Sequence, residues 1–280
     1  MTSVGEAIAD GRMSGRLWLY TNYHCNLVCT YCLTESGPKV AARQLEPGKA
    51  RQLVDEAHQL GFSEVGITGG EPFLLPWLPE LLAELAGVMP VTVLSNGTLF
   101  TPKLVERLRP LADLPVAFQI SLDRPDPDAN DAMRGPENFA KVLEALPRMR
   151  AAGLRVRIAT TLELDEIVPE KTPDQQRLCA LHRRFGIGDD DHVIRPIVRR
   201  GRALTGGMGV AATRDDLEPE LTITADGAFW NPFAPTVANG RLDTDLLLSR
   251  TVLPLRRPAA TMLRLVEGRP RGTDSVLGIR

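Results

Sequence analysis

Cys25, Cys29 and Cys32 stand in a C-x3-C-x2-C array and are three of only four cysteines in a chain of 280 residues. The stretch reads His24-Cys25-Asn26-Leu27-Val28-Cys29-Thr30-Tyr31-Cys32. Thiolates this close in sequence can hold one face of an iron–sulfur cluster. Cuboidal clusters are normally held by four cysteines, so a triad leaves one iron open to another ligand, which suits an enzyme better than an electron carrier. A structural zinc ion is the first competitor, but it takes four ligands, usually as two closely spaced pairs. His24 is the nearby fourth candidate, and adjacent residues rarely turn both side chains toward one ion. A disulfide would leave one thiol over. The triplet alone favours the cluster, with zinc and plain packing still open.

The elements that must position this loop alternate strand and helix. Leu17 to Thr21 is a short apolar strand leading into the cysteines. Pro47 opens a helix with Ala50, Leu53, Val54, Ala57 and Leu60 on one face, closed by Gly61. Val65 to Thr68 is a strand ending in Gly69-Gly70-Glu71-Pro72, and Leu78, Leu81, Leu82 and Leu85 stripe the next helix. Val91 to Leu94 ends at Ser95-Asn96-Gly97, after which Thr101 caps a helix with Pro102 at its first position. Val116 to Leu122 follows, then a helix on Phe139, Val142, Leu143, Leu146 and Met149 that Pro147 is expected to end or bend. Arg155 to Leu162, a helix from Gln175 to Phe185, and His192 to Val198 complete the series. Such alternation implies parallel strands with right-handed crossovers. About six units fit, too few for an eightfold barrel, so the fold class is α/β, a partial (β/α)6 barrel over roughly Arg16 to Arg202. Ligand sites in such sheets gather at the carboxyl ends of the strands, where the unusual motifs fall.

Hydrophobic residues at 43% support a sizeable core, and a net charge of −2 gives no electrostatic case for nucleic acid or an anionic membrane. Met1 to Gly15 has no apolar stretch of the kind a secretory signal needs, and no run approaches a membrane span. A cytoplasmic protein is expected, in a reducing setting that suits exposed thiols.

The cysteine array, with Tyr31 before its last member, resembles the signature of the radical S-adenosylmethionine (SAM) superfamily. Thr21, Asn26-Leu27 and Tyr31-Cys32-Leu33 are further similar to the branch containing molybdopterin, heme-d1 and peptide-modifying members. Gly69-Gly70-Glu71-Pro72 resembles that family's SAM-binding turn, and Ile120-Ser121-Leu122-Asp123 and Asp131-Ala132-Met133-Arg134-Gly135 resemble two further signatures. The resemblance covers roughly Trp18 to Ala203. It implies one 4Fe–4S cluster on Cys25, Cys29 and Cys32, with SAM on the open iron. It implies SAM contacts from Gly69 and Gly70, where glycine lets backbone approach closely, and from Glu71, which would accept from the methionine amino group. Ser121 would sit near the ribose or carboxylate of SAM and Arg134 would neutralise the carboxylate. Ser95 and Asn96 would face the same cavity or serve the turn, Tyr31 would offer its backbone to adenine, and Leu162 would give an apolar adenine contact or be a plain core leucine. The implied partners are a peptide or small-molecule substrate and an electron donor such as flavodoxin or ferredoxin.

Other residues carry weaker signals. Cys179, beside Leu178, Leu181 and Phe185, reads as a small buried hydrophobe. His182 and His192 are possible proton carriers at unremarkable spacing. Arg195, Arg199, Arg200 and Arg202 form a basic patch, fit to meet an acidic substrate or to solvate a surface. The chain divides as 1–15, an N-terminal segment; 16–203, the barrel; and 204–280, an extension resembling a degenerate SPASM or twitch unit without cluster cysteines, since no cysteine follows Cys179. Within it, Leu221 to Trp230 reads as a hairpin turning at Asp226-Gly227, and Asp243 to Ser249 as a helix. The extension is expected to close the barrel as a lid, with Trp230 and Phe233 as apolar contacts.

Overall fold

β1 (Arg16–Tyr20) is an almost wholly buried run, as a strand covered on both faces requires. In this computed structural model, which describes residues 2–41, 43–167, 170–235, 237–238 and 241–268, β1 pairs in parallel with β2 (Glu64–Thr68). β3 (Val91–Ser95), β4 (Val116–Ser121), β5 (Arg155–Leu162) and β6 (His192–Pro196) follow in chain order, every adjacent pair parallel. These six strands are the partial barrel. Register is tight where it matters: Trp18 lies opposite Gly66, and a β-carbon there would fall 2.3 Å from the indole.

Helices return the chain between strands. α1 (Val4–Ala9) precedes the sheet, and α2 (Pro47–Leu60) starts at its proline and stops at Gly61, which takes φ +96°. α3 (Leu78–Ala86) buries its leucine stripe, and Thr101 caps α4 (Pro102–Leu108) by accepting from the Leu104 N–H. α5 (Pro127–Arg134) and α6 (Asn138–Ala151) follow β4. α6 does not end at Pro147 but runs through it. The ring removes one hydrogen bond, but Phe139, Val142, Ala145, Leu146 and Met149 are buried along one face and hold the last turn in place. α7 (Pro173–Arg183) begins at a reciprocal cap between Thr172 and Gln175.

Beyond β6 come the short α8 (Arg202–Thr205) and a hairpin of β7 (Thr222–Thr224) and β8 (Gly227–Phe229). Thr224 pairs with Gly227, so the turn is Ala225-Asp226, one residue earlier than the sequence suggests. β7 also lies parallel to β1, pairing Trp18 with Thr222 and Leu19 with Ile223. The hairpin therefore extends the barrel sheet on the side of β1 away from β2. β9 (Val237–Ala238) and β10 (Arg241–Leu242) form a separate two-residue ladder, and β11 (Leu247–Ser249) pairs with β8. The sheet order is β11-β8-β7-β1-β2-β3-β4-β5-β6. The helix expected from Asp243 to Ser249 is absent. Asp243 and Asp245 form a turn that receives Arg200, and the leucines after it enter the sheet edge. α9 (Arg256–Glu267) packs Ala259, Met262, Leu263 and Val266 inward. No helix among the described residues is long and apolar enough to cross a membrane.

Trp230 is fully buried in the continuous core and its Nε1 donates to the Leu217 carbonyl. It does not line the cleft that the cysteines share, whereas Phe233 does. The lid reading thus fails for Trp230, because the hairpin's pairing with β1 places that ring in the core. Trp230→Ala is expected to cost about 3–5 kcal/mol of stability, read as a lower melting temperature.

Candidate metal and cofactor site

The three cysteines lie in the loop after β1, and the loop after β2 holds them from one side. Thr21 N–H and Oγ1 donate to the Thr68 carbonyl (2.8 and 3.0 Å), Gly70 N–H to Asn22 (2.8 Å), and Glu71 N–H to His24 (2.9 Å). The close fit explains the glycines. A β-carbon on Gly70 would lie 2.1 Å from the His24 carbonyl oxygen, and Gly69 takes φ +152° against Asn22. From the other side Thr30 N–H donates to the Met133 carbonyl at 2.9 Å. Arg202 closes the back of the loop: its N–H donates to the Cys32 carbonyl (2.9 Å), Nη1 to that of Cys29 (2.6 Å), and Nη2 to that of Ser36.

All three thiols are free and line one cleft. Gly69, Gly70, Ser95, Asn96, Ser121, Arg134 and Tyr31 share its wall. Among the described residues no three His, Cys, Asp or Glu side chains converge on a single ion. Burial, with Glu71 nearby, pushes the Cys25 thiol up to about 12, so a bound cation is what brings it to the thiolate form. The donors for that sulfur are in place: Leu27 N–H at 3.4 Å and Asn96 Nδ2 at 3.7 Å.

Glu71 and Leu162 are not on the cleft wall. Glu71 is fully buried beneath it, where its carboxylate accepts from Phe73 N–H (3.0 Å), Ser95 Oγ (2.9 Å) and Asn96 N–H (2.8 Å). Burial raises its pKa to about 7 against those donors. Its place in the structure is to fix Ser95 and Asn96, and through Asn96 the Cys25 sulfur. Leu162 is buried at the end of β5, and its neighbour Thr161 takes the cleft position.

Asp123 organises the opposite wall, a role the sequence did not single out. Its Oδ2 accepts from Tyr31 Oη (2.5 Å) and Arg134 Nη1 (3.0 Å), while Oδ1 accepts from Thr161 N–H (2.9 Å). Arg134 Nη1 also reaches Tyr31 Oη, and its backbone carbonyl lies 3.5 Å from the Cys29 sulfur. Arg134 Nε is buried on this wall without a partner, an N–H available to a ligand carboxylate. Free thiols, a close-approach glycine turn and an orphaned guanidinium N–H fit a 4Fe–4S cluster with SAM.

The basic patch does not exist as a patch. Arg199 donates to the Gly209 carbonyl, Arg200 pairs with Asp243 and Asp245, and Arg202 holds the cysteine loop, while Arg195 alone enters the cleft. Cys179 is buried behind the sheet, 3.3 Å from Lys171 Nζ and 3.5 Å from His192 Nδ1. His182 packs edge-on against His192 with both ring nitrogens buried and without partners. Burial lowers the pKa of His182 to about 3 and of His192 to about 4. Below pH 6.5 the unfolded chain takes up protons that the native state refuses. Stability therefore falls as pH drops from 6.5 toward 4, by up to roughly 1.4 kcal/mol per pH unit for each histidine. His182→Leu is expected to flatten that acid limb in denaturant titrations and to raise stability at pH 7 by about 1 kcal/mol, since it removes unsatisfied buried nitrogens.

A sequence profile of the Radical SAM superfamily matches residues 19–166. The chain is 32% identical over 199 residues to the mycofactocin maturase of Mycolicibacterium smegmatis, covering 70% of this chain and 46% of that protein. It is 31% identical over 178 residues to the AdoMet-dependent heme synthase of Nitratidesulfovibrio vulgaris, covering 62% and 47%. The chain thus spans about half the length of the curated relatives it matches. Among solved structures, native anSMEcpe with bound AdoMet and Cp18Cys peptide superposes with a TM-score of 0.61 at 12% identity, covering 91% of this chain and 84% of that one. That likeness is one of fold.

Proposed function

The chain belongs to the radical SAM superfamily, and from that premise we propose that it is a monocluster enzyme abstracting hydrogen from a peptide or small biosynthetic metabolite. The observation that carries the proposal is the opening of three free thiols onto the same cleft as the two-glycine turn. When bound, the cluster and SAM supply a reductive cleavage that yields methionine and a 5′-deoxyadenosyl radical.

The chain's own residues hold, orient and exclude. Cys25, Cys29 and Cys32 are the iron ligands. Gly69 and Gly70 let the backbone pass close to the methionine end of SAM, with Glu71 tensioning that turn from beneath. Arg134, set by Asp123 and Tyr31, offers its Nε to the carboxylate, and Ser121 adds a hydroxyl from the end of β4. Ser95 and Asn96 stiffen the wall beside Cys25. Apolar Phe233 and Ile197 help keep water from the reacting face. A low-potential flavodoxin or ferredoxin is the electron donor in this reading, and the setting is cytoplasmic.

The maturase likeness and the peptide held by anSMEcpe support a peptide. The heme synthase likeness supports a second reading, maturation of a tetrapyrrole or pterin cofactor. The metal content tests both readings at their root. Anaerobic reconstitution should give iron and acid-labile sulfide in equal amounts, with an electron paramagnetic resonance signal that changes when SAM is added. Stoichiometric zinc with no cluster would sink the proposal.

A further inference from the structure

Two guanidinium groups reach the cleft wall, and only one of them has a carboxylate. Arg134 pairs with Asp123 at 3.0 Å. Arg195, on β6, has no ion-pair partner among the described residues. Its Nε donates to Thr161 Oγ1 at 3.3 Å, and its Nη1 is buried without a partner. Asp123 cannot serve it, because both carboxylate oxygens are committed to Thr161, Tyr31 and Arg134. Thr161 Oγ1 accepts from Arg195, and its own hydroxyl proton has no acceptor among the described hydrogen bonds. A cation and a hydroxyl donor thus stand together beside apolar Pro196 and Ile197 with nothing anionic to meet.

Resting on the reading above, we propose that Arg195 and Thr161 form the anion subsite for the substrate, and that the substrate carries a carboxylate near the hydrogen it loses. SAM brings a single carboxylate. Arg134, whose own backbone abuts the Cys29 sulfur, stands on the cluster side of the cleft. Arg195 stands on the β6 side, next to its register partner Thr161. The anion is a monoanionic carboxylate rather than a phosphate, because among the described residues one guanidinium is the only cation left on the wall. Burial pulls the Arg195 pKa below its ordinary value, against an upward pull from Asp123, which is itself committed to Arg134.

Calorimetry on the reconstituted, SAM-loaded protein tests this with N-acetyl-dialanine as free acid and as C-terminal amide. The acid is expected to bind about tenfold tighter than the amide, and Arg195→Gln to remove the difference. Equal binding of acid and amide by the wild type, or a preference surviving in Arg195→Gln, overturns the proposal. If the glutamine variant does not fold, Arg195→Lys decides: a reduced preference supports the subsite and an undiminished one overturns it. A second titration compares SAM with decarboxylated SAM. Arg195→Gln should keep the wild-type preference for SAM; its loss would assign the guanidinium to SAM and overturn the substrate role. Since the readout is binding, failure here leaves SAM cleavage untouched, whereas loss of cluster or cleavage would be failure of the underlying reading.

Discussion

Replacing Cys29 by alanine is expected to reduce iron and sulfide content to background and to lower SAM cleavage by more than about a thousandfold, a loss of at least ~4 kcal/mol of barrier reduction. A cluster with three protein ligands has none to spare, and Cys29 has no substitute within reach. The loop is fixed on both flanks by Arg202 and Met133. His24, the nearest spare ligand in sequence, instead sets its Nδ1 3.3 Å from the Val40 carbonyl. Cys179→Ala is the control, since that thiol lies behind the sheet against Lys171 and His192, and it should leave iron content near wild type. Metal and sulfide analysis of the two variants side by side separates a lost ligand from a general loss of thiols.

Asp123→Ala is expected to be the most destabilising single change at the cleft. Asp123 and Arg134 have side chains with 0% and 6% exposure, so the substitution strands a buried guanidinium. Breaking a buried pair in this way costs about 3–5 kcal/mol, on the order of 10 °C in melting temperature for a chain of this size. Tyr31 Oη and Thr161 N–H lose their acceptor at the same time. Asp123→Asn keeps one acceptor oxygen, enough for either Tyr31 or Thr161 but not for both, so it should fall between wild type and alanine. Thermal unfolding of the three proteins gives that order. An alanine variant as stable as wild type would show that the network is not what holds Arg134.

The sequence carried the barrel because each strand is a short apolar run ending in a motif, and the helices that cover the sheet, such as α2, α3 and α6, show a stripe of period 3.6. α5 escapes that pattern because Pro127 to Arg134 has no such stripe; its helical marks are polar, the Asp126 cap, Pro127 at the first position, Asp128 in the first turn and Arg134 in the last. Asp243 to Ser249 reads as a helix because a run of three leucines suits a helix or a strand equally, and pairing with β8 makes Leu247–Ser249 a strand. The site was legible where motifs are local: the cysteines, the glycine turn, Ser121 and Arg134 converge on one cleft. It was not legible where a partner is distant in sequence. Four arginines between 195 and 202 look alike in the chain, yet three are bound to Gly209, Asp243 with Asp245, and the cysteine loop. Glu71 reads as a ligand contact from its motif, but the β3 loop supplies two of the donors that draw it beneath the wall.

The decisive measurement is mass-spectrometric detection of 5′-deoxyadenosine and methionine after dithionite reduction of the reconstituted protein with SAM under anaerobic conditions. Equal amounts of the two products, absent when reductant or Cys29 is removed, are the expected result. An intact, reducible cluster that leaves SAM uncleaved, even across candidate peptide and metabolite substrates, would contradict the assignment of this cleft to radical chemistry.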